Sequence, residues 1–187
     1  MRLGIFGGTF DPIHDAHITI AEAARDAFAL DRILVIPAAN PPHKTGAVAS
    51  YEHRFRMVEL ACAGRPALEP SRLEAGEQQS YSISTIERIR AEVGPDCRLF
   101  FLIGSDAFAD ITTWRRWRDV VASVEFVVVT RPLATYDVPE GATVHRLDHV
   151  RMPVSSSAVR ESLASGVRPE SLPFPVYEYI ENKRLYR

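Results

Sequence analysis

The sequence predicts an α/β fold: a doubly wound parallel sheet with helices on both faces. Three observations lead there. Four short apolar runs, Leu3–Phe6, Ile33–Ile36, Leu99–Ile103 and Phe126–Val129, do not alternate apolar with polar residues, which is how strands buried on both faces read. Segments that mix apolar and charged residues at spacings of three and four lie between them, so strand and helix alternate along the chain. Polar and reactive residues follow each run: GGTFDPIH after the first, PAANPPHK after the second, GSD after the third and TRP after the fourth. They collect at the carboxyl ends of the strands, the edge where open α/β sheets bind ligands.

Taken in order, the first strand runs into Gly7 and Gly8, and a helix begins near Asp15 and continues to residue 29. The second strand enters a long loop, 38–50, rich in Pro and Gly, before helical spacing resumes at 51–63. A weaker extended segment lies near 70–75, and a third helix covers 82–93. Beyond the fourth strand a loop spans 131–142, around Pro132, Pro139 and Gly141, with a weak extended segment near 143–147. Helices near 156–165 and 174–183 close the chain, punctuated by Gly166 and Pro173.

The 187 residues fit one domain, and 46% apolar with 25% charged residues is an ordinary globular balance. A net charge of −2 gives no electrostatic footprint for nucleic acid, and the WRRWR run at 114–118 is too short to supply one. Cys62 and Cys97 have neither CxxC nor zinc spacing and read as reduced packing thiols. No signal-peptide pattern opens the chain, and no apolar run approaches the ~18–20 residues of a membrane span. The expectation is a soluble cytoplasmic protein.

The stretch GGTFDPIHDAH (7–17) is the first candidate site. Glycines lacking Cβ allow close ligand approach or positive φ. His14 lies just before the expected helix and His17 in its first turn, where free N–H groups and the helix dipole favour anions. Two imidazoles there could donate to phosphoryl oxygens whose charge changes during transfer. The same residues could serve only a tight turn, or the histidines could be surface residues or metal ligands, with Asp11 and His43 as further candidates. Neither GxGxxG nor GxxxxGK[ST] is present. A second anion site is suggested by PVSSSAVRESLASG (153–166), where serines precede a helix and Arg160 lies about a turn into it.

These motifs carry a resemblance. GGTFDPIHDAH resembles the (H/T)xGH loop of the nucleotidyltransferase superfamily, and in this form it is most similar to the bacterial nicotinate-mononucleotide adenylyltransferases, with Ala16 at a usual glycine. SSSAVR resembles the family's ISSTxIR, with Ser157 for threonine and Val159 for isoleucine. NPPHK (40–44), SYSIST (80–85, Ser82 for threonine) and GSDAFADITTW (104–114, Phe108 for leucine) resemble three internal family segments, and Arg115 follows where tyrosine is frequent. The closing LPFPVYEYIENKRLY is similar to the family's ending.

The resemblance implies a Rossmann-like nucleotidyltransferase domain over 1–187. It implies transfer of AMP from ATP to nicotinate mononucleotide, giving deamido-NAD and pyrophosphate by in-line attack without a covalent intermediate. Mg²⁺ would be held mainly by phosphates rather than by a protein cage. His14, His17, Lys44 and Arg160 would be catalytic. ATP would meet Gly7, Gly8, Thr9, Phe10, His14, His17, Gly104, Asp106, Arg131, Ser155, Ser156, Ser157 and Arg160. The nicotinate nucleotide would meet Gly8, Thr9, Lys44, Tyr81, Ser82 and Trp114, with free N–H groups at the helix start near Ser82 receiving the pyridine carboxylate. Neither nucleic acid nor membrane is an expected partner. Three rival readings remain open: an adenylyltransferase for nicotinamide mononucleotide or phosphopantetheine, a non-catalytic nucleotide sensor, and a metal-dependent hydrolase using Asp11, His14 and His17.

Overall fold

The computed structural model describes residues 1–40, 47–76, 79–130, 135–148 and 154–187. Among these residues six strands form one parallel sheet: β1 (Arg2–Gly8), β2 (Arg32–Pro37), β3 (Leu68–Pro70), β4 (Arg98–Gly104), β5 (Glu125–Val129) and β6 (Thr143–Leu147). Their order across the sheet is β3-β2-β1-β4-β5-β6, with every neighbouring pair parallel. The helices are α1 (Asp15–Phe28), α2 (Tyr51–Cys62), α3 (Ser82–Val93), α4 (Ser105–Ala109), α5 (Trp117–Ser123), α6 (Ser156–Ala164) and α7 (Phe174–Lys183), with a 3-10 turn at Ile111–Thr113.

Each central strand feeds two cores. Phe6 of β1, Ile33 and Val35 of β2, and Phe100 and Leu102 of β4 pack with the inner faces of α1, α2, α6 and α7. Their neighbours Leu3, Ile5, Ile36, Leu99, Phe101 and Ile103 pack with α3, α4 and α5 on the other face. That division explains the uninterrupted apolar runs, since side chains alternate between faces and both faces are covered.

The chain leaves β1 toward β2 on one side and β4 toward β5 on the other. The ends of β1 and β4 therefore flank the topological switch point, where an open sheet presents its crevice.

Two differences from the sequence reading stand out. The extended segment near 70–75 is the short strand Leu68–Pro70, and residues 73–76 turn away. Pro70 lacks an N–H and is tolerated because β3 is an edge strand. Two short helices, Ser105–Ala109 and Trp117–Ser123, occupy a region with no anticipated helix, because five and seven residues are too few to display a helical period.

Candidate active site

Gly7 and Gly8 end β1 at the crevice. Neither takes positive φ; that conformation falls on Phe10, at 49°. A Cβ on Gly8 would lie 2.9 Å from the Phe10 ring, whereas one on Gly7 would meet none of the described residues within 4 Å. Gly8 is thus required by packing, and Gly7 leaves exposed backbone at the mouth of the crevice. Phe10 is buried, its ring edge-on to Phe6 at 5.4 Å and to His17 at 5.1 Å. It supports the His17 ring from below, so the direct ATP contact expected of it is not available to its side chain.

His14 is the residue before α1, with extended backbone. Its N–H donates to His17 Nδ1 at 3.2 Å. A ring nitrogen that accepts carries no proton, so the neutral His17 imidazole bears its hydrogen on Nε2. The two rings stack with centroids 3.8 Å apart. His14 is 3% exposed, its Nδ1 has no hydrogen-bond partner among the described residues, and burial pulls its pKa down to about 4. The stack therefore presents a neutral His14 beside a half-buried His17 at the amino end of a fourteen-residue helix.

The second anion motif meets the first. Ser156 at the start of α6 donates to the Pro12 carbonyl at 3.0 Å. Arg160 donates to the Asp11 carbonyl at 2.8 Å and to Ser157 Oγ at 3.3 Å. Ser155 caps α6 by accepting from the Ala158 N–H at 3.2 Å. Two helix N-termini, two imidazoles and one guanidinium with donors to spare thus converge on residues 11–17.

Asp11 does not join the histidines. Its carboxylate accepts from Val48 N–H at 2.7 Å, Ala49 N–H at 3.1 Å and Tyr186 Oη–H at 2.6 Å. Burial and then this bond hold the Tyr186 phenol well above its ordinary pKa, so it stays a donor. The hydrolase reading needed Asp11 beside His14 and His17; the carboxylate is instead spent on fastening three segments together. No group of three or more His, Cys, Asp or Glu able to hold a metal occurs among the described residues.

On the other side of the crevice, Gly104 is the exposed last residue of β4 and Asp106 lies in the first turn of α4. Trp114 is half-buried, edge-on to Phe101 at 6.0 Å. Tyr81 precedes α3, and the Arg115 guanidinium lies 4.6 Å over its ring, which brings Trp114's neighbour to the start of the helix bearing Ser82. Lys44, His43 and Arg131 lie outside the described residues. Thr9 enters the site half-buried, its carbonyl accepting from Arg54.

Arg54, Ser80 and Tyr186 were not anticipated. Arg54 carried a signal: with Met57, Val58 and Ala61 it sits on the buried stripe of α2, a charge at an apolar position. No described helix is long and apolar enough to cross a membrane.

Residues 5–162 match the cytidylyltransferase-like family model. A relative from Solibacter usitatus (strain Ellin6076), named a probable nicotinate-nucleotide adenylyltransferase, is 54% identical over 187 residues, covering 100% of both chains. One of the same name from Bordetella pertussis is 40% identical over 198 residues, covering 100% of this chain and 98% of its own. The solved Plasmodium falciparum nicotinic acid mononucleotide adenylyltransferase complexed with NaAD is similar in fold, with a TM-score of 0.83 at 19% identity, covering 99% of this chain and 97% of that one.

Proposed function

The chain belongs to the cytidylyltransferase-like family, among its nicotinate-nucleotide adenylyltransferases, and we propose that it transfers the adenylyl group of ATP to nicotinate mononucleotide, a step of NAD biosynthesis. The products are deamido-NAD and pyrophosphate. The observation that carries the site assignment is the meeting of α1 and α6 at the switch point, with Ser156 and Arg160 bonded to the backbone between Asp11 and Pro12.

The acceptor's 5′-phosphate is already a nucleophile near neutral pH, so attack on the α-phosphorus needs no general base. The oxygen–phosphorus bond to the acceptor forms as the bond to pyrophosphate breaks, in line, with no covalent enzyme intermediate. The protein's work is to position two polyanions and stabilise charge as it shifts. His17 donates from Nε2 toward the α-phosphoryl oxygens, and neutral His14 holds it in that tautomer through its backbone N–H. Arg160, Ser156 and Ser157 hold the pyrophosphate end, and Lys44 and Arg131 add cations. Tyr81, Ser82 and Trp114 take the pyridine half, its carboxylate at the start of α3. Mg²⁺ arrives with ATP as part of the substrate, held by phosphate oxygens. We read 1–187 as one domain working in the cytoplasm, which suits two buried free thiols.

The test is pyrophosphate release with MgATP and, in turn, nicotinate mononucleotide, nicotinamide mononucleotide and phosphopantetheine. Release with the nicotinate compound alone is expected, and His17→Ala should lower kcat roughly 10²–10³-fold while melting like the wild type. Equal release with both pyridines would overturn the carboxylate site at α3. ATP binding without release would favour the sensor reading.

A further inference from the structure

Arg54 is 2% exposed, yet among the described residues it forms no ion pair. Its guanidinium is spent on carbonyls: Nε donates to Ala49 at 3.2 Å, one terminal nitrogen to Thr9 at 2.7 Å and Ala38 at 2.8 Å, and the other to Ala39 at 3.3 Å. Taking a guanidinium out of water is costly; the group lies 5.6 Å over the Tyr51 ring, and all its hydrogen bonds go to the backbone of three separate segments. Thr9 belongs to the glycine–histidine loop. Ala38 and Ala39 follow β2, and the Ala38 N–H also reaches the Gly8 carbonyl at 2.8 Å. The N–H groups of Ala39 and Asn40 donate to Ser80 Oγ at 2.9 and 3.2 Å, and Ser80 N–H donates to the Asn40 carbonyl at 3.0 Å. Ser80 immediately precedes Tyr81 and Ser82. An unbroken chain of contacts therefore runs from the loop assigned to ATP to the helix start assigned to the acceptor, with Arg54 at its pivot.

We infer that Arg54 is a positioning residue that sets the spacing of the two substrate subsites through the Thr9 and Ala38–Ala39 carbonyls. The inference rests on the adenylyl-transfer reading. In-line transfer needs the reacting atoms about 3–3.5 Å apart, and a 1 Å misplacement costs on the order of 10²-fold in rate. The planar guanidinium fixes several acceptors in one plane; a lysine ammonium keeps the charge without that fork.

The experiment compares the wild type with Arg54→Lys. Calorimetric stoichiometry gives the fraction of each protein that binds ATP, and steady-state pyrophosphate release gives kcat per binding-competent site and KM for each substrate. Expected is a kcat per competent site about 10²-fold below wild type, with both KM values within about threefold. A merely structural role would reduce the competent fraction or the melting temperature and leave kcat per competent site unchanged, which would overturn the inference. Should Arg54→Lys not fold, Ser80→Ala loosens the same segment from its other side. It is expected to lower kcat on the order of tenfold with KM unchanged, and a wild-type kcat would overturn the inference. A wild type that released no pyrophosphate would overturn the adenylyl-transfer reading and this inference with it; a wild type that turns over beside an unimpaired variant overturns the inference alone.

Discussion

His14 occupies a helix-capping position usually given to Ser, Thr, Asp or Asn, and its burial sets a measurable pH dependence. Its folded pKa of about 4 lies below the ordinary 6.5 because burial disfavours the cation. As pH falls below 6.5 the unfolded chain takes up this proton first, so the contribution is complete above 6.5 and is lost as pH falls toward 4. At 1.36 kcal/mol per unit, the loss amounts to about 3 kcal/mol. Denaturant unfolding across that window should show stability rising with pH, and His14→Asn should flatten that part of the slope. An unchanged slope would place the proton elsewhere. The paired histidines were legible because they are three apart in one loop. Asp11's role was not, since its partners Val48, Ala49 and Tyr186 lie 37 to 175 residues away. Ala16, the departure from the family glycine, is buried in the first turn of α1, so its methyl is covered by protein.

Among the elements, α6 shows how docking and ligand binding share the same groups. Its first turn is tied to residues 11–12 by Ser156 and Arg160, and the N–H groups it does not satisfy internally face the phosphates in the proposed complex. Arg160→Ala removes a charged donor from a backbone carbonyl, which should cost about 1–3 kcal/mol in unfolding free energy. It should also raise KM for ATP more than KM for the acceptor, because the guanidinium is placed at the pyrophosphate end. Melting curves and substrate titrations read the two effects separately; equal changes in both KM values would remove Arg160 from that end. The boundaries of α2, α3, α6 and α7 followed from apolar spacing and from Ser, Gly and Pro punctuation. Helices α4 and α5 escaped because they are short and their burial comes from tertiary packing of Phe108, Val120 and Val121.

Over the whole molecule, the sheet order was not legible, but its consequence was. Polar residues at the carboxyl ends of unbroken apolar runs marked the candidate binding edge before any strand was paired. Pairing then added what the sequence could not contain: β1 and β4 are neighbours, so residues near 7 and near 104 share one crevice. Contacts spanning from Asp11 to Tyr186 and from Thr9 through Arg54 to Ser80 close that crevice's frame. In the proposed reaction this frame holds both substrates at once for a single direct displacement. The most direct measurement is the stereochemical course at the α-phosphorus, using ATP made chiral there by sulfur substitution and nicotinate mononucleotide as acceptor. Inversion is expected, as one in-line displacement requires; retention would mean an adenylylated enzyme intermediate and would contradict it.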